Sequence, residues 1–309
     1  MSSELSKEMQ AHTYAIMNDV EDSHWWFVGR RAILESFMRE IAGELRSQKS
    51  EVRSQEPDDR RTQYSSLSTS GDLSTQYSSL STSGDLGPQS YNSPSPQSSV
   101  LSPEARALRI LDVGCGTGAN LEMLSEFGSA EGVDVSDEAL TFCKSKGLKV
   151  HKGLAEELPF ENEEFDIVTG LDVIEHLDDD IEGLSEMRRV TKKGGYALVF
   201  VPAFMWLWGV QDDISHHRIR YRRKQIVERM EKAGFTVERA TYANITFFPP
   251  ILLGRLIMRL TGIKPESENN VNVSALNGFF GRIFSSERHF LKYFNFPLGV
   301  SIVVVAKKN

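Results

Sequence analysis

The stretch from Arg109 to Leu121, Arg-Ile-Leu-Asp-Val-Gly-Cys-Gly-Thr-Gly-Ala-Asn-Leu, constrains this chain more than any other. An apolar run, Ile110, Leu111 and Val113, is broken only by Asp112 and ends in three alternate glycines, Gly114, Gly116 and Gly118. Leu121, Met123, Leu124 and Phe127 follow at helical spacing. A short apolar run reads as a buried strand and the second pattern as a helix, so the stretch is a strand, a tight turn and a helix. In an open α/β sheet, nucleotide-like ligands bind where such strands end. The glycines let the main chain approach a ligand that any Cβ would push away.

Downstream, strand and helix patterns alternate. Strands are expected at 109–114, 129–135, 148–153, 165–171, 196–201, 235–242 and 299–306. Ser136 is placed to cap a helix running to Lys146. Further helices are expected over 180–191, closing in Thr-Lys-Lys-Gly-Gly, and over 222–233. Alternating β and α with right-handed crossovers predicts an α/β fold, a doubly wound, Rossmann-like, seven-stranded sheet. It is mostly parallel, with an antiparallel edge strand, because no crossover pattern joins the last two strands.

Four segments follow from this reading. Residues 1–46 form an N-terminal helical cap, with Ile33, Leu34, Phe37, Met38, Ile41 and Leu45 on one stripe. Arg30 shares that stripe, so it either meets an anionic partner or snorkels to the rim. Trp25 and Trp26 beside it are packing residues or a pocket wall. Residues 47–105 change abruptly to serine, threonine, glutamine and proline, and Thr62–Leu73 recurs as Thr75–Leu86. So few apolar residues cannot offset the ordering entropy, and a disordered linker is expected. Residues 106–243 and 298–309 make the core, and 244–297 an inserted helical lid or substrate segment. Within it, 247–260 is apolar except for Arg255 and Arg259, as a core helix, a lid or an interfacial helix would be.

The chain is 40% hydrophobic and 25% charged, with a net charge of −8. That balance disfavours a nucleic-acid partner held by charge alone. Two cysteines, Cys115 and Cys143, make no disulfide framework. With neither a signal-peptide pattern nor an apolar run of spanning length, a cytoplasmic enzyme is expected, with peripheral membrane contact open through 247–260.

The glycine turn admits two ligands. Gly114, Gly116, Ala119 and Asp134 formally satisfy a dinucleotide fingerprint. However, the third glycine falls at Gly118, and Asp112 puts a carboxylate inside the strand end, where it would repel a pyrophosphate and favour an ammonium or sulfonium group. Ile110–Gly118, Asp134, Leu158-Pro-Phe160 and Phe165-Asp-Ile-Val168 together resemble the class I S-adenosylmethionine (SAM)-dependent methyltransferases. His24-Trp-Trp-Phe-Val-Gly-Arg-Arg31 and Asp213–Tyr221 resemble a poorly characterised bacterial branch of them, often associated with cell-surface polysaccharide or lipid pathways. The resemblance implies SAM as cofactor. It implies that Asp112 and the Gly114–Gly118 backbone, Cys115 included, hold its methionine end, with Asp134 on the ribose hydroxyls. Ala155 and Glu156 would lie by the adenine, Leu171 would complete the site, and Arg30 would meet the cofactor's carboxylate. Leu154 stands where many members carry an acid, so backbone groups or Glu156 must serve the adenine amino group.

Methyl transfer needs alignment above all. A hydroxyl acceptor also needs a base, for which His217, His216 and His176 are candidates. His217 leads because Asp213, four residues upstream, orients it if that stretch is helical. Asp172, Glu175 and His176 share a helical face and form an alternative cation site, resembling the Glu-x-x-Glu-His of metal-assisted RNA and ubiquinone-pathway methyltransferases; Glu-His after the fourth strand is also common without metal. The acceptor class expected is a small molecule, lipid or saccharide. RNA or protein, and a non-catalytic SAM-binding module, are the alternatives. Arg218–Lys224 is a basic run suited to phosphates, a phosphorylated lipid head or plain solvent.

Overall fold

A computed structural model describes residues 11–55, 107–262 and 274–309. The seven strands are β1 (Leu108–Val113), β2 (Gly128–Asp134), β3 (Val150–Lys152), β4 (Phe165–Leu171), β5 (Thr191–Pro202), β6 (Thr236–Ala243) and β7 (Ser301–Lys307). They form one sheet in the order β3-β2-β1-β4-β5-β7-β6. The first five pair in parallel, whereas β7 runs antiparallel to both β5 and β6. The antiparallel pair therefore closes one side of the sheet, with β7 one place in and β6 at the edge.

Each strand alternates its side chains between two faces. From β1, Leu111 and Val113 join a core with α5 (Asp180–Val190) and α7 (Arg223–Lys232). Ile110 faces the other way and packs with the stripe of α2 (Trp25–Gln55), where Ile33, Leu34, Phe37 and Met38 are all buried. Truncating Phe37 there to Ala would cost about 3–5 kcal/mol. Helix α1 (Ala11–Val20) precedes it, and α3 (Ala119–Ser125) and α4 (Asp137–Ser145) follow β1 and β2. Ser136 caps α4 as expected, its side chain accepting from the Ala139 amide.

Two boundaries differ from expectation. Helix α5 ends at Val190, and Thr191 already pairs with Phe165 of β4. The Lys-Lys-Gly-Gly run lies inside β5, with a register shift between Phe165 and Ile167, and does not cap the helix. Helix α2 runs past the composition change at Ser47 to Gln55, because no proline or glycine stops it before Pro57. The serine-rich repeat lies outside the described residues.

The 244–297 insertion contains α8 (Phe248–Thr261), α9 (Ser274–Ser286) and α10 (Arg288–Leu291). Prolines in its first turn open α8, and Gly262, at φ 69°, ends it. Helix α9 reaches α2 at Gly29, where an added Cβ would sit 2.2 Å from Phe284 Cδ1. Only glycine lets these helices cross so closely.

Candidate active site

The C-terminal ends of β1, β2, β4 and β5 open into a cavity of about 740 Å³, to which Trp25 and Trp26 of α2 and Phe247, Ile251 and Phe280 of the insertion contribute walls. The glycine turn forms its floor. Gly114, Gly116 and Gly118 have φ of 70°, 52° and 91°, the left-handed region that favours glycine. Gly116 faces open space, so a side chain there would enter the cavity. Gly118 does not line it; a Cβ at that position would meet Leu148 and Cys143, which gives this glycine a packing role.

Asp134 closes β2 with both carboxylate oxygens held. Oδ2 accepts from the Gly116 amide at 2.8 Å and Oδ1 from the Ser136 amide at 2.9 Å. Burial pushes its carboxyl above the ordinary range, and these amides work against that. Each oxygen keeps a second lone pair, so the carboxylate can still accept from a diol. Cys115, Ala155, Glu156, Leu171 and Leu154 line the same cavity.

Asp112 does not. It is fully buried behind the wall, with Oδ1 accepting from Thr169 Oγ1 at 2.6 Å and Oδ2 without a partner. Burial pushes it up to about 7, against the pull of Thr169 and of the Arg30 charge. The side chain expected at the methionine end of the cofactor thus stands behind the lining of the cavity.

Arg30 is buried and lines the cavity, so of the two readings it takes the one with an anionic partner and does not snorkel to the rim. Its anionic partner within the protein is Asp172, 2.7 Å away at the end of β4, and Nη1 donates to Asn120 Oδ1 at 3.1 Å. Nε is buried without a partner. The guanidinium also lies 5.4 Å from the Trp26 ring centroid and 5.2 Å from that of Phe200. A second tie joins the cap to the turn, since Thr117 Oγ1 lies 2.7 Å from Glu21 Oε2. No periodicity in the sequence signals Glu21, Thr117 or Asn120.

His217 lines the cavity and its Nδ1 lies 2.8 Å from Asp212 Oδ1. The orienting acid is therefore Asp212 and not Asp213. The short helix α6 (Val210–Ile214) ends before His217, and Asp213 turns outward to accept from Trp208 Nε1. Burial pushes Asp212 up, but the His217 and Arg220 bonds outweigh it and hold its carboxyl at about 2. An ionised acceptor at Nδ1 places the proton there and leaves Nε2 with a lone pair. His216 is exposed, at φ 55°, and does not line the cavity. His176 does line it, its ring 4.7 Å from that of His217. Burial and the neighbouring His217 push His176 down to about 3.

The cation alternative also changes membership. Among the described residues, Glu175, His176 and His217 offer ligand atoms within 4.8 Å of one another. Asp172 is committed to Arg30 instead. Both Glu175 oxygens are buried without hydrogen-bond partners, and His217 Nε2 stands 3.9 Å from Oε1. Burial and the neighbouring Asp172 push the Glu175 carboxyl well up. Asn244, buried at the end of β6, likewise has an amide without a side-chain partner.

Residues 111–199 match the methyltransferase domain family. That span covers β1 to β5 and stops before Asp212, His217 and the insertion. The demethylmenaquinone methyltransferase of Chlorobaculum parvum is 33% identical over 101 residues, 31% of this chain and 42% of that protein. The phosphatidylethanolamine N-methyltransferase of Cereibacter sphaeroides is 36% identical over 103 residues, 31% of this chain and 51% of that protein. Each match thus spans about half or less of the relative's own length. Among solved structures, phosphoethanolamine N-methyltransferase 2 of Haemonchus contortus in complex with S-adenosyl-L-methionine aligns with a TM-score of 0.44 and 22% identity, covering 65% of this chain and 49% of that one.

Proposed function

We propose, from the premise that residues 111–199 make this chain a class I SAM-dependent methyltransferase, that it methylates a hydroxyl on a small molecule, lipid or saccharide with an apolar body. The residues suit the cofactor. Gly116 leaves open space above the turn, Asp134 presents a carboxylate fixed by two amides, and Arg30 keeps an unpaired Nε at the cap. Asp134 would take the ribose, the Gly114–Gly116 main chain the methionine end, Arg30 its carboxylate, and Leu154 to Glu156 the adenine. When bound, SAM supplies an activated methyl on a sulfonium whose departure as a thioether needs no proton.

The protein's own work is then on the acceptor. His217, held through Nδ1 by ionised Asp212, directs Nε2 to take the hydroxyl proton as the oxygen attacks; such a base contributes about 10²–10⁴-fold. Arg220 Nε, 2.7 Å from Asp212 Oδ1, keeps that carboxylate charged and in place. Phe247, Ile251 and Phe280 exclude water and hold an apolar body against the site. Lipid or quinone-like acceptors are favoured by this wall, and the relatives named for menaquinone and phosphatidylethanolamine are in keeping with it.

The pairing of buried Asp212 with His217, which lines the cavity, carries this reading. The test is to incubate the protein with methyl-labelled SAM and separated lipid, saccharide, small-molecule, RNA and protein fractions. Label is expected in one of the first three and is lost with His217→Ala. Label confined to RNA or protein overturns the acceptor class. Calorimetry showing NAD binding without SAM binding overturns methyl transfer altogether.

A further inference from the structure

Helices α8 and α9 carry apolar residues on both sides, with buried Arg255 and Asn277 also turned to the cavity. Phe247, beside α8, and Ile251 on it line the cavity, while Leu253, Leu256, Ile257 and Leu260 lie at i, i+3, i+4 and i+7 and are exposed, Leu260 at 78%. Helix α9 repeats the arrangement, with Phe280 inward and Leu276 and Phe279 outward. Beyond it Phe290, Tyr293 and Phe294 are also exposed, Tyr293 at 71%. A globular helix needs one apolar stripe, so the outer one is unexplained by the core.

The charge of this region runs against that of the chain. Residues 244–297 carry Arg255, Arg259, Lys264, Arg282, Arg288 and Lys292 against Glu266, Glu268 and Glu287, whereas the whole chain is −8. Glu287 is buried, and Arg259, Arg282 and Lys292 are exposed. No described helix is long and apolar enough to cross a membrane. An exposed apolar stripe flanked by cations and aromatic rings, on a helix of about 20 Å, suits the headgroup boundary of a bilayer.

We infer that the outer face of α8 and α9 docks on an anionic lipid surface, which places the lid of the cavity at the membrane. A second copy of this chain fits less well, because a two-fold interface would set like charges against each other, whereas anionic headgroups complement them. The inference stands apart from the acceptor assignment, since lipid binding is read without turnover.

The full chain is sedimented with vesicles of phosphatidylcholine alone and of phosphatidylcholine with phosphatidylglycerol, at low and high salt. Binding to the anionic vesicles is expected, weakened by salt. A triple variant, Leu253→Ser, Leu256→Ser and Leu260→Ser, is expected to bind about tenfold or more weakly. Its melting temperature and SAM affinity, read by calorimetry, are expected to be unchanged, which separates lost docking from misfolding. No binding to anionic vesicles, equal binding to both vesicle types, or equal binding by the variant overturns the inference. So does a dimer of the wild type in sedimentation velocity that the variant converts to monomer, because the stripe is then covered by a second copy.

Discussion

Replacing Asp134 with Asn tests the cofactor site without knowledge of the acceptor. The carboxylate accepts from the Gly116 and Ser136 amides at 2.8 and 2.9 Å, one on each oxygen. An asparagine keeps the volume but must turn its NH₂ toward one of those donors, so one tether of the turn is lost. It also leaves a single neutral acceptor for the ribose in place of two charged ones. A hydrogen bond to a charged group contributes about 1.5–3 kcal/mol, and a neutral one roughly half of that. Losing one and halving the other weakens SAM binding by about 2–4 kcal/mol, or about 30–1000-fold in Kd. Titration calorimetry reads this directly. Wild-type affinity should also fall on acidification, from a higher pH than an ordinary aspartate would give, because burial raises the Asp134 carboxyl and the protonated form loses an acceptor. Asp134→Asn should lack that component. A variant within threefold of wild type, or one that keeps the same pH dependence, refutes the assignment of Asp134 to the ribose.

Asp212→Asn should lower methyl transfer about 10²–10⁴-fold while SAM affinity stays within threefold, because the amide favours the wrong His217 tautomer; combined with His217→Ala it should cost little more. Ionised at about 2, against an ordinary 3.8, Asp212 contributes about 2.5 kcal/mol of stability above pH ~4, lost as pH falls toward 2, and acid melts of the two proteins should differ by that component. Asp112 runs the other way. Raised from 3.8 to about 7, it makes the wild type lose stability as pH rises through that window, and Asp112→Asn should flatten the melting temperature between pH 4 and 7. Chelator should leave methyl transfer unchanged; loss of activity that a divalent cation restores would make His217 a ligand with Glu175 and His176, not a base.

Strand positions, the Ser136 cap and the Asp134 terminus were legible because each follows from a local pattern of apolar residues and glycines. The α2 stripe put Arg30 on the apolar face but left open whether it met an anionic partner or snorkelled to the rim. Its partner was not legible, because Asp172 lies far along the chain and meets Arg30 only once α2 packs on the face of the sheet that includes β4. Naming Asp213 as the orienting acid rests on helical spacing through to His217. Helix α6 stops short, and beyond it His216 takes a left-handed φ that throws its ring outward and swings His217 back onto Asp212. Residues after a helix end have no fixed phase, so spacing alone cannot select between adjacent carboxylates. The clasp of Glu21 on Thr117 is illegible for the same reason as Arg30–Asp172.

The crossing of α2 and α9 at Gly29 bears on how such a sequence can drift. A methyl group at position 29 would overlap Phe284, whose ring also packs near Trp25 at 5.9 Å between centroids. Neither residue touches the reacting groups, yet together they set how far the insertion stands from the cap. Positions 29 and 284 are therefore tied. Sequences that enlarge the first must shrink the second to keep the same crossing of α2 and α9.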